Sequence, residues 1–256
     1  MTFSVVIPAH NEEGQIGGCL DSVERAAKAA GAGVEIIVVL NRCTDGTEGI
    51  AAGRAVIVRE EAANLSRIRN AGAARATGEV IVTIDADSRM AENMFIEVAK
   101  ALESGRFIGG GVRVKAERYS VGIVSSAALV LIPFAIQGIS AGSFWCRRED
   151  FRAIGGFNEE YYTAEDYDFA VRLKAYGRTR GKRFGTLWRT HIVTSCRKFD
   201  WFGDWFVWRM VLRHPWGLVE GFRGRNRKLG DRLWYDTGKY RMPAAPALRG
   251  DKGGRL

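Results

Sequence analysis

Two aspartates, Asp85 and Asp87, flank Ala86 directly after the short apolar run 80–84. Carboxylates one residue apart on a turn can converge on a hard divalent cation, whereas along a continuing strand they would only share a face. Manganese or magnesium held there would neutralise a diphosphate leaving group. An isolated pair of this kind is also what a surface turn or helix cap looks like, so its neighbours decide. A second acidic group, Glu165, Asp166 and Asp168, opens the segment 164–176. A positioned carboxylate can take the proton of a hydroxyl nucleophile, but acidic residues in a first turn also favour the positive end of a helix, with Thr163 as its cap. His191 is either a third protein ligand for a metal or a structural hydrogen-bonding group.

The elements that must position these groups follow from periodicity. Runs 3–8, 34–40, 55–59 and 80–84 are short, β-branched and bounded by polar or Gly residues, as buried parallel strands are. Between the first two, Ile16, Cys19, Leu20, Val23 and Ala27 recur at helical spacing before Gly31 and Gly33. Helices at 66–76 and 93–103 continue the alternation, which implies right-handed crossovers and an α/β sheet with ligands beyond the carboxyl ends of its strands. The residues just past those ends are therefore candidates: Pro8, Ala9, Asn11 and Glu12 after the first strand, Asn41 and Asp45 after the second. Arg69 precedes the Asp85-Ala86-Asp87 strand and is placed to reach a base or phosphates.

After Gly109-Gly110-Gly111 the rhythm changes. The apolar stretch 121–136 is shorter than the roughly 20 residues a spanning helix needs and contains Pro133, so it is expected to be buried or to rest on a membrane. A Gly/Ser stretch at 138–143, a helix at 164–176 and a strand at 183–188 follow. From Phe199, residues Trp201, Trp205, Trp208 and Leu212 fall on one stripe, which predicts a single amphipathic helix. The expected organisation is one domain in two halves, residues 1–115 and 116–198, with an extension at 199–256.

Four motifs occur in order: Pro8-Ala9-His10-Asn11-Glu12, Cys43-Thr44-Asp45-Gly46-Thr47, Arg69-Asn70-Ala71-Gly72, and Asp85-Ala86-Asp87. With Gly155-Gly156-Phe157 and Glu165-Asp166-Tyr167-Asp168, they resemble family 2 glycosyltransferases over residues 3 to about 177. The resemblance implies a GT-A-type fold with a mixed, mostly parallel sheet flanked by helices, followed by the helical extension. It implies inverting transfer of a sugar from a nucleotide-diphosphate sugar, with Asp166 as the general base and Glu165 near the acceptor. In many such enzymes a late His completes the metal shell, which maps onto His191. Family members commonly carry Asp near Leu40; here Asn41 is the polar residue, and the nucleotide stays open. The alternatives are a non-catalytic scaffold that binds nucleotide or membrane, and a nucleotidyltransferase, against which the Gly-Gly-Phe and Glu-Asp motifs speak.

Charge is uneven along the 256 residues. Residues 1–196 carry 24 Lys and Arg against 23 Asp and Glu, whereas residues 197–256 carry 14 against 6, together with 11 of the 27 aromatics. Such an end is expected to meet an anionic, partly apolar partner, a membrane surface before nucleic acid, since no nucleic-acid motif accompanies it; the alternative is that its tryptophans pack under the second half of the domain while its arginines stay solvated. Ser195-Cys196-Arg197-Lys198 is basic surface or closes over a diphosphate. The N-terminal run lacks a basic stretch, and the four cysteines form no CxxC pair, which predicts a cytoplasmic protein resting on the inner face of the membrane. The acceptor class, glycan, lipid or small molecule, is open.

Overall fold

The computed structural model describes residues 1–213 together with residues 216, 221 and 224. Strands β1 (Phe3–Ala9), β2 (Val34–Leu40), β3 (Val56–Arg59) and β4 (Val80–Thr83) are parallel, joined by helices α1 (Ile16–Ala30), α2 (Thr47–Ala51) and α3 (Leu65–Arg75). Then come β5 (Ser88–Met90), α4 (Met94–Glu103), β6 (Phe107–Ala116), α5 (Val121–Ile136), β7 (Phe144–Arg147) and α6 (Arg148–Ala153). The remaining elements are α7 (Glu165–Thr179), β8 (Arg183–Thr194), α8 (Arg197–Phe202) and α9 (Phe206–Arg213). The strands form one sheet in the order β3-β2-β1-β4-β7-β6-β8-β5. β7 runs antiparallel to β4 and β6, and β5 antiparallel to β8, while β6 and β8 are parallel.

Alternation along β1 explains why the sheet is buried on both faces. Val5 and Ile7 point into a core built with Ile16, Leu20 and Val23 of α1 and Phe95 and Val98 of α4. Val6 points the other way, with Ile68 and Ala73 of α3 and Phe169 and Leu173 of α7. Each such fully buried side chain contributes roughly 1.5–3 kcal/mol. Pro8 is tolerated because β4 pairs only with residues 3 to 6 of β1, so its missing N–H falls beyond that ladder. Gly31, at φ 57°, ends α1 with its N–H on the Ala27 and Lys28 carbonyls.

The approach of α3 to the sheet is set by Gly72. A Cβ there would lie 2.5 Å from Val6 Cγ1 and 2.7 Å from Val39 Cγ2, so only glycine lets the helix sit this close. The same turn of α3 carries Arg69 over the strand ends.

Two expectations need correction. The stripe beginning at Phe199 is not one helix: Gly203, at φ 82° and ψ 152°, separates α8 from α9. A glycine without side-chain entropy loss or helical preference is the break point inside an otherwise continuous pattern. The strand at 183–188 continues to Thr194, with an irregularity opposite Val112 and Arg113. Residues of the extension past Arg213, other than 216, 221 and 224, lie outside the described residues.

Candidate active site

Asp85 leaves the end of β4, and Asp85-Ala86-Asp87 forms the turn into β5, closed by the Ser88 N–H on the Asp85 carbonyl at 2.9 Å. Ala86 is buried in the core between the two carboxylates and anchors the turn. Across from it stands Arg69, only 2% exposed. Its guanidinium donates to Asp85 Oδ1 at 3.0 Å, Glu165 Oε1 at 3.0 Å and Asp166 Oδ1 at 2.7 Å. Burial works against the guanidinium's charge, and the carboxylates of Asp166, Asp85 and Glu165 more than offset it, so its pKa is raised.

Arg69 is held from below by Phe157, whose ring centroid lies 5.1 Å from Cζ. Phe157 stacks on Phe169 of α7 at 4.3 Å. Asn70, the next residue of α3, clamps the Phe157 backbone in both directions: Oδ1 accepts its N–H at 2.9 Å and Nδ2 donates to its carbonyl at 2.9 Å. The Arg-Asn and Gly-Gly-Phe motifs are thus two halves of one joint. Gly156, at φ 66°, makes the turn that presents Phe157 to Asn70.

Asp166 and Glu165 open α7. The residue before them, Ala164, sits at φ 54°, and no side chain caps the helix. Thr163 is therefore not the cap; its hydroxyl donates to the Gly221 carbonyl at 2.7 Å. Asp166 is half-buried beside Glu165 and Asp85. Burial pushes its carboxyl up to about 7, although Arg69 pulls the other way. Asp168 faces elsewhere, pairing with Arg172 at 2.7 Å one turn along.

Asp87 belongs to a second group. Arg197, at the start of α8, donates to both carboxylate oxygens of Glu12, at 2.6 Å for the Nη1 bond, and lies 3.6 Å from Asp87 Oδ2. Burial and the neighbouring Asp85 raise the Asp87 pKa, opposed by Arg197 and Lys198. Burial likewise raises that of Glu12, against its Arg197 partner. Lys198 is pushed down to about 8 by burial, with Asp87 acting in the opposite sense.

The loops at the ends of β1 and β2 complete the rim. Asn11 Oδ1 accepts the Thr44 N–H at 2.8 Å. Asp45 accepts from Thr47 N at 3.1 Å and Glu13 N at 3.1 Å, which makes it a brace between the two loops. Burial opposes its ionisation, but the Thr47 and Glu13 bonds outweigh that and hold its pKa below the ordinary value. Asn41 is fully buried: Nδ2 donates to the Ala62 carbonyl at 2.9 Å and to that of Glu60, while Oδ1 has no partner. Pro8 and Ala9 are the last two residues of β1 and are also buried. Asn11, Arg42 and Ala164 are the non-glycine residues at positive φ among the described residues, and all three lie in loops at this end of the sheet. Such conformations cost of order 1–3 kcal/mol each and persist where surrounding structure over-determines them.

His191 is not brought to the carboxylates. Its carbonyl accepts from Ala91 at 2.9 Å, whereas Asp87's carbonyl accepts from Ser195, four residues further along the chain and about 13 Å away at extended spacing. Its imidazole instead lies 3.3 Å from Lys115 Nζ. Burial and the charges of Lys115 and Arg113 lower its pKa. Arg197 and Lys198 occupy the position by Asp87 because β8 runs past His191 before the chain turns into α8. The role of Arg69 as a bridge was the feature hidden in the sequence. Its signal is a basic residue on the Ile68-Gly72-Ala73 face of α3, a face that packs inward.

The glycosyl transferase family 2 model matches residues 4–155. No curated protein sequence matches the chain. Among solved structures it is similar to TarS 1-349 of S. aureus, with TM-score 0.59 and 17% identity over 93% of this chain and 77% of that one. It is also similar to glucosyl-3-phosphoglycerate synthase from Mycobacterium tuberculosis in complex with Mn2+, UDP and glucosyl-3-phosphoglycerate, with TM-score 0.53 and 19% identity, covering 83% and 79% of the two chains. A mannosyltransferase from Pyrobaculum calidifontis, in complex with GDP-Man and Mn2+, gives TM-score 0.54 and 21% identity over 75% of this chain and 56% of that one. The fold they share with this chain is the GT-A fold.

Proposed function

The chain belongs to glycosyl transferase family 2, and from that premise we propose that it transfers a sugar from a nucleotide-diphosphate donor to an acceptor hydroxyl with inversion at the anomeric carbon. The observation that carries this reading is the Arg69 guanidinium shared by Asp85 and Asp166. It ties the carboxylate nearest the donor's diphosphate to the carboxylate that receives the acceptor's proton, and fixes their separation.

In the step itself the acceptor oxygen forms a bond to the anomeric carbon while the bond from that carbon to the diphosphate oxygen breaks. The hydroxyl proton passes to Asp166. Its raised pKa suits that task, because a base with a pKa near the working pH combines a useful unprotonated fraction with a real affinity for the proton. Attack from the face opposite the leaving diphosphate inverts the centre. Glu165, buried on the same guanidinium, orients Arg69 and borders the acceptor side. Asn41, fully buried, braces the segment after β3 through the Glu60 and Ala62 carbonyls and so shapes the nucleotide side of the rim from behind.

The donor set fits a divalent cation. Glu12, Asp85, Asp87, Glu165 and Asp166 face Arg69, Arg197 and Lys198, so carboxylates outnumber cations around the turn, and burial that raises the pKa values of Glu12 and Asp87 is the strain that a cation would relieve. Among the described residues no group of three or more His, Cys, Asp or Glu is arranged to hold an ion alone. Asp85 and Asp87 would therefore supply the protein ligands, and the diphosphate and water the others. When bound, manganese or magnesium offsets the charge that develops on the departing diphosphate. The Mn2+ complexes of the mannosyltransferase and of the phosphoglycerate synthase support this choice.

The test is release of nucleoside diphosphate from UDP-, GDP- and dTDP-sugars, with manganese and without acceptor. Slow, manganese-dependent hydrolysis of one donor is expected. Donor binding with no hydrolysis under any metal would instead identify a scaffold, and pyrophosphate release from a nucleoside triphosphate and sugar phosphate a nucleotidyltransferase.

A further inference from the structure

α5 is apolar on both of its sides. A helix on a water-facing surface keeps its outer side polar, yet here the two serines, its polar side chains, are on the inner side: Ser126 is buried with Gly122, Ile123 and Phe134, and the half-buried Ser125 accepts from Trp208 Nε1 at 3.0 Å. The outward side is Val121, Val124, Leu131, Ile132 and Ile136 with interspersed alanines; Val121 is 75% exposed and Ile136 78%. No charged residue occurs anywhere in its sixteen residues. Isolated exposed apolar side chains are ordinary, but a continuous row of them along a helix marks a contact surface.

We propose that this face, with α8 and α9 beside it, seats the protein on an anionic lipid bilayer. The surroundings of α5 select that occupant. α9 is joined to the helix by Trp208, whose Nε1 donates to Ser125; Tyr119 just before α5 and Trp205, Leu212 and Trp216 around α9 are exposed, as are Arg209 and Arg213 of α9. Amphipathic aromatics and arginines beside an uncharged apolar row match the headgroup boundary, where rings sit between acyl chains and water and cations meet lipid phosphates. Residues 197–256, which start at α8, hold fourteen Lys and Arg against six Asp and Glu, the sign that an anionic leaflet attracts. At about 1.5 Å per residue α5 is about 24 Å long, and no helix among the described residues is long and apolar enough to cross a membrane. The helix lies along the surface.

α5 and the extension act as one platform. Arg118, just before α5, pairs with Asp200 at 2.6 Å and Asp204 at 2.8 Å. A Cβ on Gly122 would lie 2.8 Å from the Asp204 carbonyl, so the two segments are in close backbone contact. α8 also carries Arg197, which reaches Glu12 and Asp87. The platform therefore adjoins the catalytic end of the sheet.

The experiment is flotation of the full chain with vesicles of phosphatidylcholine alone and of phosphatidylcholine with phosphatidylglycerol. The chain is expected to float with the mixed vesicles and much less with the neutral ones. The triple variant Val124→Glu, Leu131→Glu, Ile132→Glu is expected to bind at least about tenfold more weakly, because it puts carboxylates where acyl chains would be, with its melting temperature kept. The Arg209→Ser, Arg213→Ser variant is expected to lose part of the preference for the anionic vesicles. In the unmodified protein, brominated acyl chains are expected to quench tryptophan emission, a readout that does not depend on any variant folding. Equal flotation with both vesicles, undiminished binding of the triple variant, or a concentration-dependent dimer broken by those substitutions in the absence of lipid would overturn the proposal. So would α5 protected from solvent exchange by residues 214–256 of the same chain in the absence of vesicles.

Discussion

Removing Arg69 should alter stability and the pH dependence of catalysis together. Arg69 is 2% exposed, and three carboxylates lie within 3.0 Å of it. Arg69→Met leaves Asp85, Glu165 and Asp166 facing one another without a cation. Taking one partner from a buried ion group costs about 3–5 kcal/mol, which in a chain of this size is a drop of roughly 6–20 °C in melting temperature. Loss of an opposite charge at contact distance also lifts a carboxyl pKa by about 1–3 units. The Asp166 pKa already lies above its ordinary value and would rise further. A group whose pKa is raised by folding contributes stability that is present at low pH and is lost as pH rises through the folded-state value. The deficit should therefore be largest at alkaline pH and shrink below neutrality. For the same reason the acid limb of kcat/KM, which falls as the base takes up its proton, should move upward. Arg69→Lys, which keeps the charge but cannot bond all three partners, should recover part of both effects. Melting curves across pH and a kcat/KM profile for each variant are the assay. An acid limb that stays in place in Arg69→Met, with activity otherwise measurable, would refute the idea that this cation sets the base.

Gly72→Ala should push α3 off the sheet, because the added Cβ meets Val6 and Val39 at 2.5 and 2.7 Å. A loss of about 1–3 kcal/mol by denaturant titration is expected, with a lower kcat as Arg69 shifts; a fully stable and active variant would contradict the packing account. Asp87→Asn should weaken manganese-dependent nucleotide binding by about tenfold or more while leaving the metal-free melting temperature unchanged or higher, because a carboxylate whose pKa burial has raised is removed. Calorimetric titration of nucleoside diphosphate with and without manganese checks this.

Much of the architecture was legible because it is written locally. The β-branched runs, the α1 stripe from Ile16 to Val23 and the glycine at position 31 each imply their element within a few residues. The contacts between elements were not. Arg69 meets Glu165 across 96 positions of sequence, and although the spacing of Ile68, Gly72 and Ala73 puts it on the inward face of α3, nothing local names its partners. His191 is a ligand candidate through the resemblance, which maps a late His onto it, but β8 continues past it to Thr194 and the place by Asp87 goes to Arg197. α5 was hidden for a different reason. A segment apolar on all sides has no stripe to show which way it faces, and the packing of Ile123, Ser126 and Phe134 reveals it.

The central claim is that Asp166 accepts the acceptor's proton while taking little part in holding the donor. Once a donor and acceptor pair is in hand, donor affinity and single-turnover rate should be measured for Asp166→Asn against the unmodified chain. The account predicts a donor dissociation constant changed by less than about threefold and a chemical step slowed by about a hundredfold or more. A variant that transfers sugar at nearly the original rate, or that loses donor binding as fully as it loses turnover, would contradict it.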